Sequence, residues 1–195
     1  MSVLRPGGCM TWLSLRSLRG GLTPVRIVRR FKRDADGVTA VEFGLVALPF
    51  FTLLFGIIEV ALAFFASQIL ETATADAARL VLTGQAQAAN FNKAAFQQAV
   101  CDKARVMLSC SGIAVDVKTV ANFGNADTSG PARTSSGAVN YSSMGYNQGN
   151  GGDIVVVKVV YEWPIMMPTF GLGFGDLPNG KRLLRATAVF RNEPF

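Results

Sequence analysis

Between Phe43 and Ala66 the chain runs 24 residues with a single charge, Glu59. As a helix this stretch rises roughly 36 Å, enough to cross the ~30 Å hydrocarbon core of a bilayer. Pro49 lies inside it and is expected to kink it. The helical pattern does not stop at Ala66. Ser67 to Leu82 continues with helix formers and turns polar at Gln68, Glu71, Asp76 and Arg79, and Thr83-Gly84 is the first stop signal. The expected element is one long helix that leaves the membrane and continues beyond it.

Charge gives that helix a direction. The net charge is +6, and residues 1–37 hold eight basic and two acidic residues, so the whole excess lies ahead of the span. Residues 38–195 carry eleven of each sign. A folded part with no net charge argues against a nucleic-acid partner. A basic flank crowded with Arg26, Arg29, Arg30, Lys32 and Arg33 instead suits the positive-inside rule. The expectation is a single-pass inner-membrane protein, N-terminus cytoplasmic and residues 67–195 periplasmic. Met1 and Met10 are both possible starts.

Histidine is absent from the sequence, which removes Ser-His-Asp and Cys-His nucleophile systems and the commonest metal ligand. Asp34-x-Asp36-Gly37 fails as a calcium loop, because positions one and twelve would be Lys32 and Phe43. Gly171-x-Gly173-x-Gly175 lacks the helix and spacing of a phosphate loop. The expectation is a non-enzyme with no cofactor, no metal and no small-molecule substrate.

Beyond the long helix, Asn90 to Leu108 reads as a second helix, with Phe96, Val100, Ala104, Met107 and Leu108 as its buried stripe. Ile113 to Val120 and the valine-rich Asp153 to Trp163 read as strands. Residues 123–152, rich in Gly, Ser and Asn, read as a long flexible loop. Pro164 to Gly180 is irregular. Lys181 to Asn192 is the last strand, with Leu184, Ala186, Ala188 and Phe190 on one face. The fold class is α+β: a long N-terminal transmembrane helix, a second helix and a short antiparallel sheet. The expected division is a removable leader over 1–37, a helix over 38–84 with its span at 43–66, and a periplasmic domain over 85–195.

The most specific motif is Gly37-Val38-Thr39-Ala40-Val41-Glu42-Phe43, preceded by basic residues and followed by the span. A secretory signal peptide is cut after its apolar run. Here the special site lies before it, so cleavage between Gly37 and Val38 would leave the span on the mature chain. The alternative is an uncleaved signal anchor. The heptapeptide resembles the prepilin motif of the Flp/Tad pilus system. The wider chain resembles the TadE-like pseudopilin family, through Leu48-Pro49, Gln68, Ala77-Ala78-Arg79, the paired cysteines and the closing Arg191-Asn192-Glu193-Pro194. The resemblance implies a prepilin peptidase as processing partner and a small pilin-like domain. It also implies assembly with other pilin and pseudopilin subunits into an adhesive pilus, with Glu42 and Phe43 in recognition. Phe43 in place of Tyr fits the minor class. The competing reading is an unprocessed, membrane-anchored periplasmic enzyme or binding module.

Other residues carry narrower expectations. Glu59 sits toward the outer end of the span; it is either tolerated by snorkelling or protonation, or contacts a partner span. Ala61-Leu62-Ala63 looks like a signal-peptidase site, but helical sequence runs straight through it. On one continuous helix Cys101 and Cys110 would lie ~13.5 Å apart along the axis, beyond the ~7 Å Cα limit of a bridge. A disulfide therefore needs the helix to end first, and Ser109, Ser111 and Gly112 supply a break; otherwise both remain thiols. The apolar Trp163 to Pro168 segment covers the core or faces a partner.

Overall fold

The computed structural model describes residues 37–166 and 173–195. The leader up to Asp36, Cys9, both candidate start methionines, and Met167, Pro168 and Gly171 lie outside the described residues.

Helix α1 spans Val38–Leu82, 45 residues that continue through Pro49. Thr83 and Gly84 stop it, as their residue types require. Gly84 adopts φ 76°, a left-handed conformation that glycine takes without steric cost. The free carbonyls of the last turn find partners. Thr83 Oγ1 donates to Arg79 O at 2.8 Å, and the backbone N–H of Glu193 donates to Leu82 O at 2.9 Å. The C-terminal tail thus closes the end of the helix.

The chain divides into two units, with the boundary between Pro49 and Phe50. In the first, Val38, Val41, Phe43, Leu45, Val46 and Leu48 are exposed. The second, from Phe50 onward, holds the hydrophobic core. There α1 buries Ala63, Ala66, Leu70, Ala73, Ala77 and Val81, spaced by three and four residues along one stripe. All but two of these are alanine, which lets the helix lie close to its neighbours.

A short helix α2 (Gln85–Ala88) follows, then α3 (Lys93–Ala104). The second helix expected from the sequence is shorter at both ends. Asn90 takes φ 52°, and Asn92 Oδ1 accepts from the N–H of Ala95, so the chain turns and is capped before helix can begin. Phe96, Val100 and Ala104 are buried as the spacing predicts, and Leu108 joins them from the turn beyond.

Strands β1 (Ile113–Val120), β2 (Ile154–Trp163) and β3 (Arg182–Arg191) form an antiparallel sheet in the order β1-β2-β3. The register places Val115 opposite Val159 and Val159 opposite Ala186, with Val117, Val157 and Ala188 on the next core-facing rung. Val115, Val117, Val155, Val157, Val159, Leu184 and Ala186 share one core with the α1 stripe and with α3. The α+β class is as read from the sequence.

The glycine-rich stretch between β1 and β2 is irregular, yet it is tied down at many points rather than left as a free loop. Tyr146 bridges Val117, and Asn147 N donates to Val117 O at 2.8 Å. Lys93 Nζ donates to Met144 O at 2.8 Å, and Asn192 Nδ2 donates to the carbonyls of Gln148 and Asn150. Val139 and Met144 then pack with Leu177 over Val160, on the sheet face opposite α1. A three-stranded sheet whose central strand also carries Val160 on its second face needs such a cover, and the loop contributes to it.

Candidate functional site: the start of the long helix and the base of the domain

The residues of the Gly-x4-Glu-Phe motif lie together at the start of α1. Val38 is its first residue, and Gly37 immediately precedes it. Val38, Glu42 and Phe43 are exposed, and nothing lies within 4 Å of a side chain built at Gly44. Glu42 follows Val38 by one helical turn, so the two share a face. By length and composition α1 is suited to a single membrane crossing.

Glu59 does not belong to that cluster. It is 2% exposed, at the base of the folded unit, and its own chain covers it. The backbone N–H of Met166 donates to Glu59 Oε1 at 3.5 Å, while Oε2 has no hydrogen-bond partner among the described residues. Phe174 lies against the same stretch of α1, 3.7 Å from where a side-chain carbon at Gly56 would stand. The chain leaving β2 and the chain entering β3 therefore both touch α1 between Gly56 and Glu59. Of the apolar segment after β2, Trp163 is buried and Ile165 packs on the core, whereas Met166 is exposed. The sequence marks that segment and Glu59 separately. Their contact has no sequence signal.

Cys101 and Cys110 form a disulfide with Cα atoms 5.2 Å apart. The helix does end first: α3 stops at Ala104, Leu108 N donates to Ala104 O, and a short 3-10 turn, Cys110–Gly112, leads into β1. The bridge fastens α3 to the start of the sheet beside Tyr161, whose hydroxyl accepts from Ser109 N at 3.4 Å.

Charged groups on the domain serve mainly to hold loops. Glu162 accepts from Tyr141 Oη at 2.6 Å, from Asn179 Nδ2 at 2.9 Å and from Lys181 Nζ at 3.3 Å. The Tyr141 hydrogen bond, with the other two donors, holds the Glu162 carboxyl below its usual range, and burial raises the Tyr141 phenol. Lys158 bonded to Asp127 keeps that carboxyl well below the usual carboxylate range. Burial pushes the Tyr146 phenol up to about 12.

No group of three or more His, Cys, Asp or Glu placed to hold a metal occurs among the described residues. No curated protein and no solved structure matches the chain. One family does match, described as TadE-like protein; the match opens at Gly37 and runs to the exposed Arg79 near the end of α1. Residues 37–79 are a TadE-like protein family domain.

Proposed function

We propose that this protein is a processed pseudopilin, or minor pilin, that acts in assembly of a Tad-type adhesive pilus. The reading rests above all on one observation: the TadE-like match begins at Gly37, the glycine of the basic-Gly-x4-Glu-Phe pattern. A prepilin peptidase cuts between Gly37 and Val38 at the cytoplasmic face and leaves α1 on the mature chain. The domain beyond α1 is periplasmic, since the basic excess lies on the other flank. Cleavage creates an amino group at Val38, and a chain-terminal amine ordinarily titrates at about 7.7–8.0, so it is largely charged near neutral pH. Glu42 supplies a carboxylate near the positive end of α1. In a staggered bundle of such helices the Glu42 of one subunit meets the amino group of a neighbour, and the pair sets axial register. Exposed apolar side chains along α1 suit both lipid and neighbouring helices, so the same surface serves before and after assembly.

N-terminal sequencing of the protein from cells that contain the peptidase tests this reading. Val38 should be the first residue, and Gly37→Leu should accumulate the longer precursor, because a bulky side chain does not fit where the cleft accepts none. A mature chain that retains the leader in such cells would overturn it.

A further inference from the structure

In the order β1-β2-β3 the sheet has two outer edges, and they differ. That of β1 is partly closed: Val117 N donates to Gly145 O at 3.1 Å, and Val117 O accepts from Asn147 N at 2.8 Å. That of β3 is open over most of its length. Leu183 turns its N–H away from β2, to Asp176 Oδ1 at 2.7 Å. Successive residues of a strand turn their backbone groups to alternate sides. Arg185, Thr187 and Val189 therefore present their N–H and C=O groups at the same outer edge. None of these groups has a hydrogen-bond partner among the described residues. A long edge with no proline and no neighbour is a template for a further strand.

The helices leave room for that strand. α1 and α3 share one core with the sheet and lie side by side, with Arg79 and Leu80 of the first facing Ala99 and Lys103 of the second across a groove. α3 sits over β1, where Gln97 Nε2 donates to Ile113 O at 2.7 Å. Helices pack ~8–10 Å apart and strands ~4.8 Å apart, so two helices cover about four strands. The sheet supplies three. The overhang falls beside β3, where a groove of about 270 Å³ is lined by Val60, Phe64 and Ser67 of α1 and by Arg182 and Leu184. Phe64 is 63% exposed there. A strand added to β3 would set alternate side chains under the flank of α1, next to Leu184, Ala186 and Ala188. The others would lie on the opposite face, next to Arg185, Thr187, Val189 and Arg191.

β3 carries Arg182, Arg185 and Arg191 and no acidic residue. None of the three forms an ion pair among the described residues. We propose that the free edge of β3 binds an extended segment of a partner chain as a fourth strand, with apolar side chains under α1 alternating with acidic ones beside Arg185 and Arg191. Main-chain hydrogen bonds supply the affinity, and apolar and opposite-charge pairs across the strands supply the selectivity. A second copy of β3 is the poorer occupant, because it brings arginine to an edge that already bears it. Its direction is also wrong. α1 and β3 run in the same sense: Val60 and Phe64 lie beside Arg182 at one end, and Glu193 N donates to Leu82 O at the other. Antiparallel pairing of two β3 strands would invert one α1 against the other, which two copies anchored in one membrane cannot do. This exclusion of a second copy rests on the reading that α1 crosses a membrane; the open edge does not.

The test uses the full chain with Cys9→Ser in neutral detergent and two probe peptides of the length of β3, 10 residues. One alternates valine with glutamate, the other valine with lysine. Hydrogen exchange, read amide by amide, reports the pairing. In the free protein Arg185, Thr187 and Val189 should exchange faster than Ala186 and Ala188, which bond to β2. The glutamate peptide should slow each of the first three about fivefold or more, the worth of one net hydrogen bond. The lysine peptide should not, and added salt should narrow the difference. Thr187→Pro removes one edge N–H without touching the ladder to β2, so it should abolish the protection while unfolding stays cooperative. R185E/R191E should transfer the protection to the lysine peptide, a test that stands even where Thr187→Pro misfolds. No protection at millimolar glutamate peptide, or protection that survives Thr187→Pro, would overturn the edge site. Equal protection by both peptides would overturn the acidic partner. Dimerisation of the protein alone, lost in Thr187→Pro, would overturn the partner chain in favour of a second copy.

Discussion

Removing the Cys101–Cys110 bridge tests how the domain is held together. The two residues are nine apart in sequence, so the bridge closes a short loop. For a loop of about ten residues the chain-entropy relation gives about 2.7 kcal/mol. Cys101 is only 1% exposed within the core, so its replacement by alanine also loses roughly one buried methylene equivalent, about 0.8 kcal/mol. Cys110 is exposed and adds little. The C101A/C110A variant should therefore be about 3.5 kcal/mol less stable, a large share of the ~5–15 kcal/mol typical of a folded chain. For a unit of this size that corresponds to a Tm lower by about 10–15 °C. The assay is thermal unfolding of the full-length protein in detergent, followed by fluorescence of the buried Trp163, in a Cys9→Ser background. Wild-type protein under reductant should fall between the two, since it loses the cross-link but keeps the buried sulfur. A double variant that melts within about 3 °C of wild type would refute the reasoning. Two free thiols in freshly isolated protein would refute the bridge itself.

Gly84→Ala should lower stability by about 1–2 kcal/mol, because the residue holds φ 76° and a side chain there would meet the Phe195 ring. Gly84→Asn should cost less in the same thermal assay, since asparagine tolerates the left-handed region. Glu162 has a folded-state carboxyl below its ordinary 4.5, chiefly through the Tyr141 hydroxyl. The stability it contributes is present above that ordinary value and is lost as pH falls through the lower folded one. Glu162→Gln should accordingly flatten the fall in stability below about pH 4.5 in acid titrations, and an unchanged slope would count against the hydrogen-bonded cluster. Glu42→Ala should spare membrane insertion and largely spare cleavage, yet abolish crosslinking to other pilin subunits and pilus formation, while Glu42→Asp should be partly active. Normal piliation with Glu42→Ala would show that the residue is merely tolerated.

Much of this protein is written in local pattern. The apolar run from Phe43, the helix formers after it and the Thr83-Gly84 stop determine α1 without reference to anything distant, because helix propagation and its termination depend on near neighbours. Strands β1 and β2 follow from their β-branched residues, and the Leu184, Ala186 face of β3 follows from the two-residue period. The Gly37 to Phe43 motif is equally local, a short string legible without any distant contact. The cysteine bridge was legible as far as the helix break between its members. What the chain alone left open depends on residues far apart in sequence. Glu59 could have snorkelled or met a partner, and only the return of the chain at Met166, 107 residues on, shows that it is covered from within. The Gly-, Ser- and Asn-rich stretch has the composition of a free loop; it is held by its hydrogen bonds to β1 and to Asn192 and by packing of Val139 and Met144 on Val160. Asn90 and Asn92 shorten α3 through backbone geometry that no hydrophobic period reveals. The groove between α1 and β3, lined by Val60, Phe64 and Arg182, forms only because that strand runs alongside the helix. Sequence period decides which elements form and which face each one buries, whereas the burial of a charge or the closing of a groove is a property of the assembled contacts.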